Sequence, residues 1–218
     1  LITAFIKLYF KYALFYIFLL LLGRSFVLLI QSILYKTRSN PNTIFSIRSN
    51  IVYPVIGLIF LGNLLIILNF FIPLKSNLVF IFFIPFILFN FFNLEIKNIN
   101  MKIVNLDNFL FYIVIPSLLI ISSSTTNFHY DAGYYHLNHQ NWLRESNLIF
   151  GMVNIFWPFG ISSVNEYISS FFWFDSSFIL LHFLTLYFIH FLFIFISYNI
   201  LKNENIKLKA ASFFLLIY

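Results

Sequence analysis

Two things are scarce in this chain: it has no cysteine, and only 9% of its 218 residues are charged. The lack of cysteine excludes disulfide bonds and thiolate metal sites within this sequence. An ordinary soluble domain is about 25% charged and about 45–50% apolar, whereas 61% of this chain is hydrophobic. Water is therefore excluded as the main solvent of the folded chain.

The apolar residues come in long runs rather than in periodic stripes, which indicates helices that face lipid. Runs close to the roughly 20 residues that a spanning helix needs lie at about 12–34, 51–72, 78–94, 108–121 and 178–200, and another begins at Ala210. We therefore predict an all-α fold, a polytopic transmembrane helix bundle that forms a single domain over 1–218. Because the chain starts with Leu1 and ends inside an apolar run at Tyr218, we expect a fragment with about five complete spans and the start of a sixth.

Basic residues indicate how these spans are oriented. The formal net charge is +6, but the basic residues lie in short loops between apolar runs, so we expect no nucleic-acid partner. The loops after the first, third and fifth runs carry Lys36, Arg38, Arg48, Lys97, Lys102, Lys202, Lys207 and Lys209. The alternate loops carry only Lys75 and Arg144, although Lys7 and Lys11 run against the pattern. Since lysine and arginine accumulate in cytoplasmic loops, we predict a multi-pass protein of the bacterial cytoplasmic (inner) membrane with the loop 122–177 outside.

The loop 122–177 concentrates the polar chemistry of the chain. It holds four of the seven acidic residues, three of the five histidines and all three tryptophans. These residues are Asp131, Glu145, Glu166, Asp175, His129, His136, His139, Trp142, Trp157 and Trp173. Polar groups beside a membrane are costly unless they are wet or paired, so their concentration indicates a functional site.

Local patterns predict two short helices in this loop, both lying on the outer membrane surface with their tryptophans at the headgroup level. The first covers about 133–145, where helical spacing places three polar side chains on one face. These are His136, His139 and Gln140. The second begins near Ser163, which has capping-box spacing to Glu166.

Several of these residues have two interpretations. Asp131 precedes the first helix, so it is either an N-cap or a catalytic carboxylate. Glu166 is explained equally by capping. His136 and His139, with His129 and Asp131 nearby, could hold a metal, but they lack a fixed ligand spacing. A divalent metal ion is the one cofactor that the sequence leaves open.

An ordered set of residues in the loop is similar to a pattern in multi-pass bacterial proteins of the GT-C glycosyltransferase type. The set consists of His129, Tyr130, Asp131, Gly133, Tyr135, His136, Trp142, Gly151, Met152, Asn154, Gly160, Ser162 and Ser163. The resemblance covers about 50 residues of the chain. It differs in two respects. Many members have a paired acid, whereas Ala132 and Gly133 follow Asp131 here, and the best-known members place this loop after the first span, whereas here it follows the fourth predicted span.

The resemblance implies an enzyme that transfers a sugar from a polyprenyl-phosphate carrier to a glycan or lipid acceptor on the outer face of the membrane. Asp131 matches the acid that acts at the reaction centre in this class, where a carboxylate can deprotonate the acceptor hydroxyl. Substrate binding would fall to His129, His136, His139, Arg144 and Glu166, whose cationic members would neutralise the leaving lipid phosphate.

Other functions remain open at this point. They are an envelope polysaccharide polymerase, a lipid or polysaccharide transporter, and a non-enzymatic membrane protein. A transporter would be expected to show internal repeats with interrupted helices at corresponding positions, and the sequence shows no such repeat.

Overall fold

The structure is a computed structural model that describes residues 2–34, 47–92, 109–124, 127, 129–160, 163–173, 178–202 and 205–217. This part of the chain is helical and contains no strand, so the predicted all-α class is confirmed. The α-helices are α1 (Ile2–Leu34), α2 (Ile47–Asn69), α3 (Ser76–Phe92), α4 (Ile115–Ser123), α5 (Leu137–Glu145), α6 (Met152–Ile155), α7 (Val164–Phe171), α8 (His182–Lys202) and α9 (Ile206–Ile217). A π turn precedes α4 at Leu110–Val114 and α5 at Ala132–His136.

Three helices in the described residues are long and apolar enough to cross a membrane: Thr3–Ile33, Val52–Asn69 and His182–Leu201. The predicted third and fourth spans correspond to shorter apolar helices, Asn77–Asn90 and Leu110–Ser123. Helix α1 has 33 residues and begins well before the predicted start at about 12. The apolar run was cut short by Lys7 and Lys11, but lysine is a good helix former, so the helix continues through both.

Helices α1 and α2 cross with their backbones in contact, at Gly23 and Gly57. A Cβ atom built on Gly23 would lie 1.9 Å from the carbonyl oxygen of Tyr53, and one built on Gly57 would lie 2.0 Å from that of Leu19. Small residues at a helix crossing let two helix backbones approach this closely. The approach increases van der Waals contact between the helices, which matters in a membrane because lipid tails provide no hydrophobic driving force for helix association. The two glycines therefore set how α1 and α2 pack.

A buried polar cluster links α1 to α3. The Asn90 side-chain amide donates to the carbonyl oxygens of Leu21 at 2.7 Å and Phe86 at 3.1 Å, and it contacts the Ser25 hydroxyl. The Arg24 guanidinium lies 3.5 Å from Asn90 Oδ1 and is 6% exposed. Polar side chains in apolar helices usually face the interior of the bundle, and these do.

His190 links α1, α8 and the π turn before α4. Its Nδ1 accepts a hydrogen bond from the Tyr12 hydroxyl at 2.9 Å, and its Nε2 donates to the carbonyl oxygen of Phe111 at 2.7 Å. In the π register the Ile115 N–H bonds to Leu110, and the next residue is a proline without an N–H, so the carbonyl of Phe111 needs a partner from outside its helix. A structural role therefore accounts for His190.

The 122–177 loop is fastened to the turn between α2 and α3. The Leu74 N–H donates to the Leu143 carbonyl at 2.9 Å, and the Leu148 N–H donates to the Asn69 carbonyl at 2.7 Å. The buried Asn69 amide adds bonds of 3.1 Å each to the carbonyls of Leu143 and Ser146. The loop and this turn thus lie at the same end of the helices. The basic residues Lys36, Arg38, Lys97 and Lys102 lie outside the described residues.

Helix α7 corrects the prediction that both short helices of the loop lie on the membrane surface. A Cβ atom on Gly62 would lie 2.3 Å from Val164 and 3.1 Å from Ile168, and Gly62 is seven residues before the end of α2, about 10 Å along its axis. Phe171 is fully buried and its ring contacts the rings of Phe18, Phe80 and Phe83. Helix α7 therefore packs among α1, α2 and α3.

Candidate functional site

Asp131 lies in the first turn of the helix that leads into α5. Its backbone is helical, with φ −59° and ψ −30°, and its side chain makes no capping hydrogen bond. The carboxylate instead lies 3.3 Å from Nδ1 of His129, and the two side chains are 34% and 71% exposed. The predicted N-cap role is therefore wrong in this structure, and Asp131 remains an accessible carboxylate.

A π turn at Ala132–His136 directly follows Asp131. In this turn the Leu137 N–H bonds to the carbonyl of Ala132, five residues back. The turn is wider than that of an α-helix, so positions five apart lie closer to one face. Single π turns occur often at functional sites, and this one contains His136 and directly follows Asp131.

Glu166 does not cap its helix. Ser163 precedes α7 but makes no side-chain capping bond; only the Glu166 N–H bonds to the Ser163 carbonyl, at 3.0 Å. The carboxylate is turned to α5, where Nδ1 of His136 lies 2.5 Å from Oε1 and Nδ1 of His139 contacts Oε2. The capping-box prediction is therefore wrong, and Glu166 binds two imidazoles.

This histidine–carboxylate cluster (His136, His139 and Glu166) is buried on one side. The side chains of His139 and Glu166 are each 6% exposed, whereas that of His136 is 40% exposed. A carboxylate accepts hydrogen bonds, so each imidazole presents an Nδ1–H to it. A buried carboxylate is costly unless its oxygens accept hydrogen bonds, and the two imidazoles supply those bonds to Glu166.

Arg144 faces another part of the loop. Its guanidinium donates to the Ser170 carbonyl at 2.9 Å and lies 5.2 Å from the centre of the Trp173 ring. Burial lowers the pKa of Arg144, against the opposing effect of Glu145. Trp173 in turn donates to Gln140 at 3.0 Å. Arg144 thus helps to join α5 to the end of α7, where a cation also complements the helix dipole.

The tryptophans differ in their surroundings. Trp157 is 70% exposed, as expected of an interfacial anchor. Trp173 is engaged within the loop as described, and Trp142 lies 5.9 Å from the Phe159 ring, centre to centre. Trp142, Phe159 and His139 line part of an open cleft of about 210 Å³.

The structure brings together some of the predicted site residues and separates others. His136, His139 and Glu166 form one cluster, His129 and Asp131 form an exposed pair, and Arg144 binds Ser170. Within the described residues no group of three histidines or acids is arranged to hold a metal ion. Ser162 and Asp175 lie outside the described residues.

A family model described as "Domain of unknown function (DUF8201)" matches residues 6–218. The chain therefore belongs to the DUF8201 family. No curated protein and no solved structure matches it.

Proposed function

We propose that this member of the DUF8201 family is a multi-pass membrane glycosyltransferase of the GT-C type that uses a lipid-linked sugar donor. The sugar is carried on a polyprenyl phosphate, and the acceptor is a glycan or a lipid. The observation that carries the proposal is that one loop holds both an accessible carboxylate, Asp131, and the cluster of His136, His139 and Glu166. Transfer of a sugar needs both a proton acceptor and a cation or donor for the leaving group.

Asp131 is suited to act as the general base. A base has to reach the acceptor hydroxyl within hydrogen-bond distance, and the side chain of Asp131 is 34% exposed. The Asp131 side chain makes no capping hydrogen bond that a substrate would have to displace. In the proposed step the acceptor oxygen forms a bond to the anomeric carbon and its proton passes to Asp131. The bond from that carbon to the phosphate oxygen breaks, and the phosphate leaves with the electron pair.

The location of the loop supports a substrate that is held in a membrane. The loop is fastened to the α2–α3 turn through Asn69 and Leu74, at the end of helices long enough to cross a bilayer. A lipid-linked donor keeps its phosphate at this level while its chain stays among the acyl chains. We place the loop on the outer face of the bacterial cytoplasmic membrane, on the basis of the distribution of lysine and arginine.

The transfer reaction can be tested directly with purified protein in detergent. The donor is a synthetic farnesyl phosphate carrying a radiolabelled hexose, and the acceptor is an extract of envelope glycans and lipids. We expect label to leave the donor and appear in the acceptor fraction only when the protein is present. Release of label as free sugar would indicate hydrolysis, and unchanged donor across extracts from several bacteria would contradict the proposed activity.

The orientation can be tested with single cysteines, since the chain has no native cysteine. Lys75→Cys and Asn141→Cys lie on the loop side of the helices, and Lys207→Cys lies in the basic segment after α8. An impermeant thiol reagent added to intact cells should label the first two and should label Lys207→Cys only after permeabilisation. The reverse pattern would put the loop in the cytoplasm and rule out a reaction on the outer face.

A further inference from the structure

The open cleft between α5 and α6 contains polar groups that no described residue pairs. Its polar lining includes His139 and Trp142 of α5, Asn147 of the segment that follows α5, and Tyr167 of α7. Glu166 engages only Nδ1 of His139, and within the described residues neither Nε2 of this ring nor the hydroxyl of Tyr167 forms a hydrogen bond. In the same part of the chain, the indole N–H of Trp142 and the side-chain amide of Asn147 also form none.

The unpaired atoms of the two buried residues can still be reached from outside. His139 and Tyr167 are 5% and 6% exposed, so protein covers nearly all of each side chain. Among the described residues, the buried side-chain N or O atom that lacks a hydrogen bond is Oδ1 of Asn69. Nε2 of His139 and the Tyr167 hydroxyl are therefore not sealed from solvent, and they open on the cleft that both residues line. Such atoms need a hydrogen-bond partner, so the cleft suits a polar occupant.

Aromatic rings form much of the wall of this cleft. The Phe159 ring lies 5.9 Å from that of Trp142 and 6.0 Å from that of His139, centre to centre. Phe150 also lines the cleft and is 80% exposed. Ligand sites commonly combine apolar walls with a few polar groups that fix orientation. The described residues that line the cleft include no lysine or arginine, so no fixed positive charge favours an anion there.

We propose that this cleft binds a sugar ring of the acceptor, so that the acceptor is a glycan rather than a lipid. This inference rests on the proposed function and leaves Asp131 as the base. A sugar ring has C–H faces that pack on aromatic rings, and its hydroxyls both donate and accept hydrogen bonds. The indole N–H of Trp142 donates, whereas the Tyr167 hydroxyl and the Asn147 amide can do both.

The histidine of the cleft also matches a hydroxyl. When the His139 ring is neutral and presents Nδ1–H to Glu166, its Nε2 accepts a hydrogen bond. When the ring is protonated, Nε2–H donates one, and a hydroxyl can serve as partner in either state. A lipid tail in the same place would leave the polar groups of the cleft without partners, which is costly.

The test measures binding of methyl glycosides of glucose, galactose, mannose and N-acetylglucosamine to the full chain. The detergent has no sugar headgroup, and no donor is present. The chain has three tryptophans, so nitrogen-labelled tryptophan gives three indole N–H signals in NMR. At least one glycoside should shift the signal of Trp142 and leave that of Trp157, which is 70% exposed and does not line the cleft. Cyclohexanol, an apolar ring with a single hydroxyl, should bind about 10-fold more weakly.

Tyr167→Phe removes one hydroxyl and keeps the aromatic ring. It should weaken glycoside binding by about 3-fold to 10-fold, as expected for loss of one hydrogen bond. Tyr134→Phe is the matched control, because Tyr134 is a 61% exposed tyrosine of the same loop that does not line the cleft. It should bind as the wild type does, and equal melting temperatures for the two variants would show that both are folded.

A Trp142 signal that responds to none of the glycosides would overturn the proposal. Equal affinity for cyclohexanol, or unchanged binding by Tyr167→Phe, would overturn it as well. Since binding is measured without donor, it is separate from transfer. Glycoside binding without any transfer would support the sugar cleft and contradict the glycosyltransferase. Transfer of label to a lipid fraction, with no glycoside bound, would support the glycosyltransferase and contradict the cleft.

Discussion

Asp131→Asn is expected to reduce sugar transfer by about 10²–10⁴-fold, the usual loss when a general base is removed. Asparagine keeps the size and polarity of aspartate but cannot take the proton of the acceptor at neutral pH. The same substitution should leave the fold intact, because the Asp131 side chain makes no capping bond and its contact with His129 is exposed. This variant should therefore lose transfer activity and keep the stability of the wild-type protein.

The measurement compares initial rates of transfer at equal amounts of folded protein, with membrane abundance determined in parallel. Glu145→Gln is the matched control, since Glu145 is an exposed acid of the same loop that pairs with Lys75 at 2.6 Å. Exposed ion pairs are worth about 0.2–1 kcal/mol, so this variant should keep nearly full activity. Full transfer by Asp131→Asn at normal abundance would exclude Asp131 as the base, and Glu166 would be the next carboxylate to test.

Gly57→Ala is expected to destabilise the protein by about 3 kcal/mol or more, at the upper end of the cost of overpacking a core. The added Cβ would lie 2.0 Å from the Leu19 carbonyl oxygen and 3.0 Å from the Gly23 nitrogen. Both are backbone atoms, so no side chain can rotate to make room, and α1 and α2 have to separate. A lower melting temperature in detergent and reduced membrane abundance should follow.

Gly133→Ala is the control for this experiment, because a Cβ on Gly133 meets no atom within 4 Å. Alanine is the better helix former by about 1 kcal/mol, so Gly133→Ala should be neutral or slightly stabilising. A melting temperature for Gly57→Ala that equals that of Gly133→Ala would show that α1 and α2 do not cross in backbone contact.

The sequence predicted those parts of the fold that depend on neighbouring residues. A long continuous apolar run by itself predicts a long helix, and α1, α2 and α8 lie where such runs occur in the sequence. The helix predicted at 133–145 was found as a π turn followed by α5, and the helix near Ser163 was found as α7. The start of α1 was missed because hydropathy marks where a helix is apolar and not where it begins.

The candidate site was predicted as a set of residues but not as an arrangement. Asp131, His136, His139 and Glu166 were singled out from composition and resemblance. The contacts of Glu166 were not predicted, because His136 and His139 are 30 and 27 residues away in the chain. The local sequence pattern predicted a capping role for Glu166. Instead, the packing of α7 against α5 places the Glu166 carboxylate against two histidines.

The amino-acid sequence by itself determined that this protein is helical, that its long helices are apolar enough for a membrane, and that four of its seven acidic residues and three of its five histidines lie in one loop. These are properties of composition and of short windows. Only the tertiary structure decided that α7 packs among α1, α2 and α3 and that the Glu166 carboxylate contacts two histidines. The first follows because an apolar helix face has the same sequence pattern whether it contacts lipid or protein. The second follows because the hydrogen-bond donors of a buried carboxylate are set by the packing of segments that are distant in the sequence.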